Sequence, residues 1–436
     1  MAVGLATLVV ATPIAGAAPS EPEIPSKLAL SEAVSIFRAH GLDLVIAEAQ
    51  VDSAAGDARA AAAIPNPSVS GAFYRSFFQD GLFETPNGWA VGIGDSNAIE
   101  DTLSGKRGLR MSVAQAALAA ARLQRTDAQR TLELQVKQQY LQAVLAGASL
   151  VFTRQVAESI GRTLDLVRIR YGHGAVSEVD VARTETAKLE ADGAVDRAAQ
   201  ASREAKVNVA FLLGRRRSFV DFEIAANQLK FFTPAALTGI TAAQLIDRAL
   251  MTRPDLGAQE HQRERASRAV ALAKRGRFPD IAAGIQYQEQ GSGSTAVGAA
   301  SAITPPTIEL GLSATLPLFY QQQGEIKKAQ ADLAIQEAQL SKVRAQIVAD
   351  VETAYGAYQT SRAMVERAEG RLLAQAARAR DLVTIQYEKG AASLIEYLDA
   401  QRTFIAVNVE YLQNLTAYWS AIFQLETATA IELGPP

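Results

Sequence analysis

The sequence predicts a mainly α protein with a β-barrel: an internally duplicated chain of long antiparallel α-helical hairpins, with four β-strands per chain. Three observations predict it. The chain matches itself at constant offsets, very long stretches run without a helix breaker, and short segments between them alternate apolar and polar residues.

The duplication orders the elements. Leu28 to Gly71 opens as an amphipathic helix, passes through Ile64-Pro65-Asn66-Pro67 and becomes strand-like. Residues 240–283 repeat that plan: Ala33, Val34, Asp43, Leu44 and Pro67 correspond to Leu245, Ile246, Asp255, Leu256 and Pro279 at one offset. Further on, Ala114-Gln115-Ala116 and Leu118 correspond to Ala329-Gln330-Ala331 and Leu333. Tyr171-Gly172-His173-Gly174-Ala175-Val176-Ser177 corresponds to Tyr387-Glu388-Lys389-Gly390-Ala391-Ala392-Ser393, with Asp180 opposite Glu396. The chain therefore divides into a first repeat over 28–217, a linker over 218–239 and a second repeat over 240–431. Each repeat reads helix, strand pair, very long helix, glycine turn, long helix.

The rods follow from periodicity. Leu333, Leu340, Ile347 and Ala354 recur every seven residues, a coiled-coil seam, and Leu134, Leu141 and Leu145 give a looser version in the first copy. No proline interrupts Lys106 to Arg170. A helix of ~60 residues is on the order of 90 Å long. The turns at Gly172/Gly174 and Gly390 reverse the chain, glycine supplying the left-handed conformation that ends a helix. Ala-rich stretches such as Ala114 to Ala121 let helix axes approach closely.

The strands show which solvents they divide. Ile308, Leu310, Leu312, Ala314, Leu316 and Leu318 alternate with Thr307, Glu309, Gly311, Ser313, Thr315 and Pro317, and Ile281 to Gln288 alternates likewise. This dyad pattern fits membrane-barrel strands, apolar outward and polar toward a lumen. A half-buried strand of a soluble sheet has the same period. Four strands cannot close a membrane barrel, and an open edge in lipid is forbidden, so in a membrane several chains must pool them. Gln79 to Gly88 and Gln290 to Pro306 are Gly-, Ser- and polar-rich, as outer loops are. Phe73, Tyr74, Phe77, Phe78 and Trp89 suit an interfacial girdle or a core equally.

Composition narrows the functional classes. The 436 residues are 48% hydrophobic but only 6% aromatic, a bias toward closely packed helices. A net charge of −3 gives no sign of a nucleic-acid partner. The absence of cysteine excludes disulfides, thiolate metal sites and an N-terminal lipid anchor on Cys. Residues 1–18 are expected to be a secretory signal, an apolar run from Val3 to Ile14 followed by Ala15-Gly16-Ala17, although no Lys or Arg precedes the run. Elsewhere nothing approaches ~18 uncharged apolar residues, so no transmembrane helix is expected. His40, His173 and His261 are far apart, and no zinc-protease, nucleophile-elbow or P-loop motif occurs, so no enzyme, metal site or cofactor is expected. A soluble coiled-coil scaffold would explain the rods and the duplication but not the strands.

The duplication, Pro65-Asn66-Pro67 before the first strands, Gly105-Lys106-Arg107 before the first long helix, and the two Tyr-x-x-Gly-x-x-Ser tips together resemble the TolC-type outer-membrane efflux protein family. The resemblance covers about Leu28 to Ala430. It implies a homotrimer in the bacterial outer membrane, embedded in its lipid, whose chains pool their strands in one 12-stranded barrel above a periplasmic α-helical tunnel. It also implies two partners, a periplasmic adaptor (membrane fusion) protein and an inner-membrane resistance-nodulation-division transporter. The short C-terminus and the Ile99–Arg107 stretch look most like the heavy-metal cation (CzcC-like) branch, whereas multidrug and type I secretion ducts share the same architecture.

By the resemblance, the channel constriction falls at Glu396 and Asp399, the gate tyrosine at Tyr387 and the acid that helps lock the closed state at Asp180. The arginine used as a locking partner in some members falls at Ala392, so that lock is in doubt. Physically, Glu396 and Asp399 are three apart and share a helix face. In a trimer they would gather up to six carboxylates into a cation-selective collar, whose crowding would raise some pKa values. A solvated face near a helix N-terminus is the plainer account. Gly172, Gly174, Ser177, Gly390 and Ser393 mark the candidate adaptor-docking tips, where turn chemistry alone would also explain the glycines.

Overall fold

The computed structural model describes residues 21–74, 88–95, 98–219, 221–225, 230–290 and 305–433. The secretory segment, most of both proposed outer loops, Phe77, Phe78 and parts of the linker lie outside them. The chain runs β1 (Lys27–Leu28), α1 (Leu30–His40), α2 (Leu42–Ala62), β2 (Ser68–Tyr74), β3 (Gly88–Gly94), α3 (Ala98–Leu103), α4 (Lys106–Gly172) and α5 (Glu178–Leu212). It continues with β4 (Glu223–Ile224), α6 (Ala242–Thr252), α7 (Pro254–Arg275), β5 (Asp280–Gln290), β6 (Thr307–Thr315), α8 (Gln323–Arg367), a π-helical turn (Ala368–Leu372), α9 (Leu373–Glu388) and α10 (Leu394–Thr429). The same succession occurs twice, except that α3 has no counterpart in the second copy, whose long rod is divided by the π-turn. Among the described residues, no helix is long and apolar enough to cross a membrane.

One detail departs from the sequence reading: the helix opening each repeat is broken in two. In the first copy α1 stops at Gly41, where a Cβ would lie 2.6 Å from the Phe37 ring and 2.7 Å from the Phe37 carbonyl oxygen. In the second, Pro254 starts α7 at the first-turn position that needs no N–H donor.

The rods have the expected length. α4 alone has 67 residues, about 100 Å at 1.5 Å per residue. Its counterpart in the second copy is α8, the π-turn and α9 end to end. The heptad seam is buried at Ile347 and Ala354, and Leu340 packs on the same core. That core is a belt around the middle of the rods, closed by the parallel β1–β4 pair and the C-terminal half of α10. Tyr140 of α4 is fully buried there, its hydroxyl 2.9 Å from the carbonyl oxygens of both Leu28 and Ala225. Arg253 is also buried, bonding Asp255 and Asp350 at 2.6 and 2.9 Å.

The larger sheet has the order β2-β3-β5-β6, all antiparallel. Its register puts Val69 opposite Ile93, Phe73 opposite Trp89, Ile93 opposite Ile285, Ile285 opposite Leu310 and Tyr287 opposite Ile308. Because side chains alternate along a strand, these residues share one face, and Val69, Phe73, Leu310 and Leu312 are each at least 70% exposed on it. The opposite face is small and polar: Ser68, Ser70, Gly92, Gly94, Gln286 and Glu309 line a concavity of about 170 Å³. Tyr74 lies on this second face, where its hydroxyl accepts a hydrogen bond from Gln288 at 2.9 Å. Phe73 and Trp89 therefore share a girdle face and Tyr74 does not.

Sheet and rods meet in an ionic knot. The short α3 carries Glu100 and Asp101, both buried. Lys106 reaches Glu100 at 2.8 Å and Asp280 at 2.6 Å, Arg110 holds Asp101 with both terminal nitrogens, and Arg107 donates to the Ala62 carbonyl at 2.6 and 3.0 Å. Burial opposes the charge of Lys106, but its two acidic partners more than offset this and raise its pKa.

Candidate functional site

The free ends of the two hairpins carry the residues singled out by the sequence, and both ends are built by one local code. α4 ends where the His173 and Ala175 N–H groups return to the Arg170 carbonyl, with Gly174 at φ +70°. α9 ends alike, with the Lys389 N–H on Ile385, the Ala391 N–H on Gln386, and Gly390 at φ +77°. The glycine requirement thus belongs to Gly174 and Gly390, whereas Gly172 is the last helical residue of α4 and has no positive φ. The return helices begin with matching capping boxes. Ser177 Oγ accepts from the Asp180 N–H while the Asp180 carboxylate accepts from the Ser177 N–H. Ser393 and Glu396 do the same, Glu396 accepting from the Ser393 N–H at 2.7 Å.

This places the candidate acids. Glu396 and Asp399 are both exposed near the start of α10. The pKa of Glu396 is lowered, first by the hydrogen bond from the Ser393 backbone and then by that from its hydroxyl. Within one chain Glu396 is thus a helix cap held in its charged form, and the rise expected from carboxylate crowding is not a property of the single chain. Asp180 is likewise engaged with Ser177, whose hydroxyl donates to it at 2.8 Å.

Tyr387 is buried, at 5% exposure, in a small core with Val167, Leu394 and Tyr397 that joins the two hairpins. Its ring stacks on Tyr397 with centroids 5.1 Å apart, and Tyr397 in turn bonds Thr163 of α4 at 2.8 Å. Ala392 packs against the same core. The Tyr387 hydroxyl is buried and makes no well-aligned hydrogen bond among the described residues, although the Arg170 guanidinium lies close enough to act on it. Burial raises its pKa, with Asp180 adding to the rise and Arg170 opposing it.

Arg170 is the residue that sequence reasoning missed. Its guanidinium lies 5.0 Å from the Tyr387 ring centroid and donates to the carbonyl oxygens of Tyr387 at 3.2 Å and Glu388 at 2.6 Å. A signal was present: the register of the duplication sets Gln386 opposite Arg170, so the copies differ just before their shared tip motif. Among the described residues no group of three or more His, Cys, Asp or Glu is placed to hold a metal ion.

The profile of the outer membrane efflux protein family matches residues 33–215 and 245–430, one segment for each repeat. This chain belongs to that family. It is an outer-membrane channel protein with a helical tunnel in the periplasm, not an enzyme. Among individual proteins, it is 23% identical over 394 residues to the cobalt-zinc-cadmium resistance protein CzcC of Cupriavidus metallidurans, covering 89% of this chain and 87% of that one. It is 26% identical over 297 residues to the pyoverdine export outer membrane protein OpmQ of Pseudomonas aeruginosa, covering 66% of this chain and 59% of OpmQ. The solved structure of the outer-membrane channel OprN superposes with a TM-score of 0.76 at 19% identity, covering 93% of this chain and 91% of OprN.

Proposed function

We propose that three copies of this chain form the exit duct of a tripartite efflux system for divalent heavy-metal cations. Three four-stranded sheets close one 12-stranded barrel in the outer membrane, and the rods continue it as the periplasmic tunnel. An inner-membrane resistance-nodulation-division transporter supplies the energy, and a periplasmic adaptor docks on the tips around Gly172, Gly174, Ser177, Gly390 and Ser393. Two features of the fold support the assembly. β2 and β6 are the edges of the sheet, and its apolar face is exposed in the single chain, so both find partners only when chains meet in lipid. At the tunnel mouth Glu396 and Asp399 of three chains form a collar that favours cations.

The single observation that carries the cargo assignment is the similarity to CzcC over 89% of the chain. The match to OpmQ supports a second reading, a cargo like pyoverdine, over a smaller share of the chain. A deletion strain separates them. Loss of tolerance to zinc, cobalt, cadmium or copper, restored by the gene, supports the metal duct. Undiminished tolerance to all four ions overturns it.

A further inference from the structure

We propose that Glu309 is a second selectivity-determining residue, which sets three carboxylates inside the barrel, far from the collar of Glu396 and Asp399. The proposal rests on the reading of three pooled sheets as one barrel whose polar face lines the lumen. It adds a filter near the outer end of the duct that the collar does not supply.

Strand register places the residue. Ser70, Gly92, Gln286 and Glu309 stand in one row across the four strands, on the polar face. The next row toward the loops is uncharged, and the next toward the rods is Ser68 with Gly94, Gly284 and Gly311. Glu309 is exposed and makes no hydrogen bond or ion pair among the described residues. The other acid of this face, Asp280, is bound by Lys106 at 2.6 Å. Glu309 is therefore the one unpaired charge on the polar face of the described strands, above a row nearly bare of side chains. It lies two residues from the loop end of β6, about 7 Å along the strand.

Barrel geometry sets what such a ring does. Three four-stranded sheets, with strands about 4.8 Å apart and tilted about 40°, enclose a backbone radius of about 12 Å. Inward glutamates then hold their carboxylates about 7 Å from the axis. No cation touches all three, but a cation on the axis lies within the screening length of each, about 10 Å at ~0.1 M salt. Three such charges enrich a monovalent cation roughly fourfold, and at ~1 M, where screening acts within about 3 Å, the enrichment nearly vanishes. The collar lies at the far end of the rods, about 100 Å away, so the two rings act independently.

The test is the reversal potential of full-length channels in planar bilayers, across potassium chloride gradients centred at ~0.1 M and at ~1 M, with assembly checked by native-mass measurement. Wild-type chains that form no ion-conducting trimer sink the duct reading itself. Where wild type conducts, Glu309→Gln is expected to lower the cation-to-anion permeability ratio about twofold or more at low salt and little at high salt. A further loss is expected when it is added to Glu396→Ala with Asp399→Ala. Glu289→Gln removes the same charge from the opposite face, where Glu289 stands across from Trp89, and leaves the ratio at its wild-type value. Gly311→Arg keeps Glu309 but sets a cation in the next row, so it lowers the ratio as well and decides the matter where Glu309→Gln does not assemble. The proposal is overturned by Glu309→Gln channels as selective as wild type at low salt, by a loss just as large at high salt, or by an equal loss in Glu289→Gln.

Discussion

A pair of neighbouring substitutions in β6 tests whether the apolar face of the sheet meets lipid. Leu310 and Gly311 are adjacent, and by alternation they point to opposite faces. Leu310 is 79% exposed in the single chain and stands opposite Ile285 on the apolar face. Gly311 stands opposite Gly284 on the polar face, and a Cβ added there meets no atom within 4 Å. The strand has nine residues, roughly 30 Å at 3.3 Å each and roughly 23 Å high once tilted as barrel strands are. Leu310 is thus close to mid-bilayer. Leu310→Arg places a charge there at a cost of roughly 2–4 kcal/mol per chain and forfeits roughly 1.5–3 kcal/mol of leucine burial. Either figure is large against a total stability of about 5–15 kcal/mol for a typical domain, and a trimer incurs the loss three times. Gly311→Arg points into water beside Glu309 and costs little. The assay is the amount of assembled, heat-modifiable protein in the outer membrane, repeated as insertion into lipid vesicles. Leu310→Arg is expected to be nearly absent and Gly311→Arg to accumulate normally. Equal accumulation of the two, or the reverse order, refutes the assignment of the faces.

Other expectations follow from buried and capping charges. Arg253→Met removes a guanidinium only 6% exposed and strands Asp255 and Asp350, which keep some access to water, so a loss of about 3 kcal/mol is expected. In a chain of this length that lowers the apparent Tm by about 3 °C at a fixed scan rate, and an unchanged Tm would reject the clamp. Burial pushes the Asp255 pKa up, but the hydrogen bond from Arg253 more than offsets this, leaving it lowered. Its stabilisation is therefore complete above the ordinary aspartate range, about 3.9, and fades as pH falls through the lower folded value. Arg253→Met should accordingly flatten the acid limb of stability below about pH 4. At the tips, Glu396→Ala with Asp399→Ala is expected to weaken cation selectivity and block by multivalent cations. Because the Glu396 pKa is lowered by its cap, wild-type selectivity should persist at pH 5, where reversal potentials can be measured. Unaltered selectivity in the double variant would reject the collar.

Much of the fold was legible because its signals are periodic and repeated. The seven-residue seam marked α8, the two-residue alternation marked β5 and β6, and the paired Gly-x-x-Ser tips marked both reversals before any coordinates. Periodicity fails where one residue changes the backbone. Phe37 against Gly41 splits the first helix without altering its pattern, and Tyr74 leaves the apolar face because strand parity, not aromatic character, decides where it points. At the site, Glu396 and Asp180 were singled out by the family resemblance, which does not carry the role they have within one chain. A Ser-x-x-acid motif reads equally as cap or collar, and only the N–H bonds in place identify the cap. Arg170 escaped because a cation that bonds backbone carbonyls on another hairpin leaves only a mismatch between the copies, Arg170 against Gln386, among many such mismatches.

The two copies agree and differ in a way that has one physical cause. Backbone geometry is shared wherever a rod must start or turn: left-handed residues precede both rods at Gly105 and Gln322 and close both tips at Gly174 and Gly390. Cations that cross between copies are not duplicated. Lys106 of the first copy grips Asp280 of the second, and Arg170 grips the end of α9, yet the aligned partner of Arg170 is Gln386. Such ties run in both directions, since Arg268 of the second copy donates to the Ser112 carbonyl of the first at 2.8 Å, and together these unduplicated cations fix how the copies sit against each other. The copies can then be held at fixed angles along the rods while their ends remain joined by a few replaceable bonds.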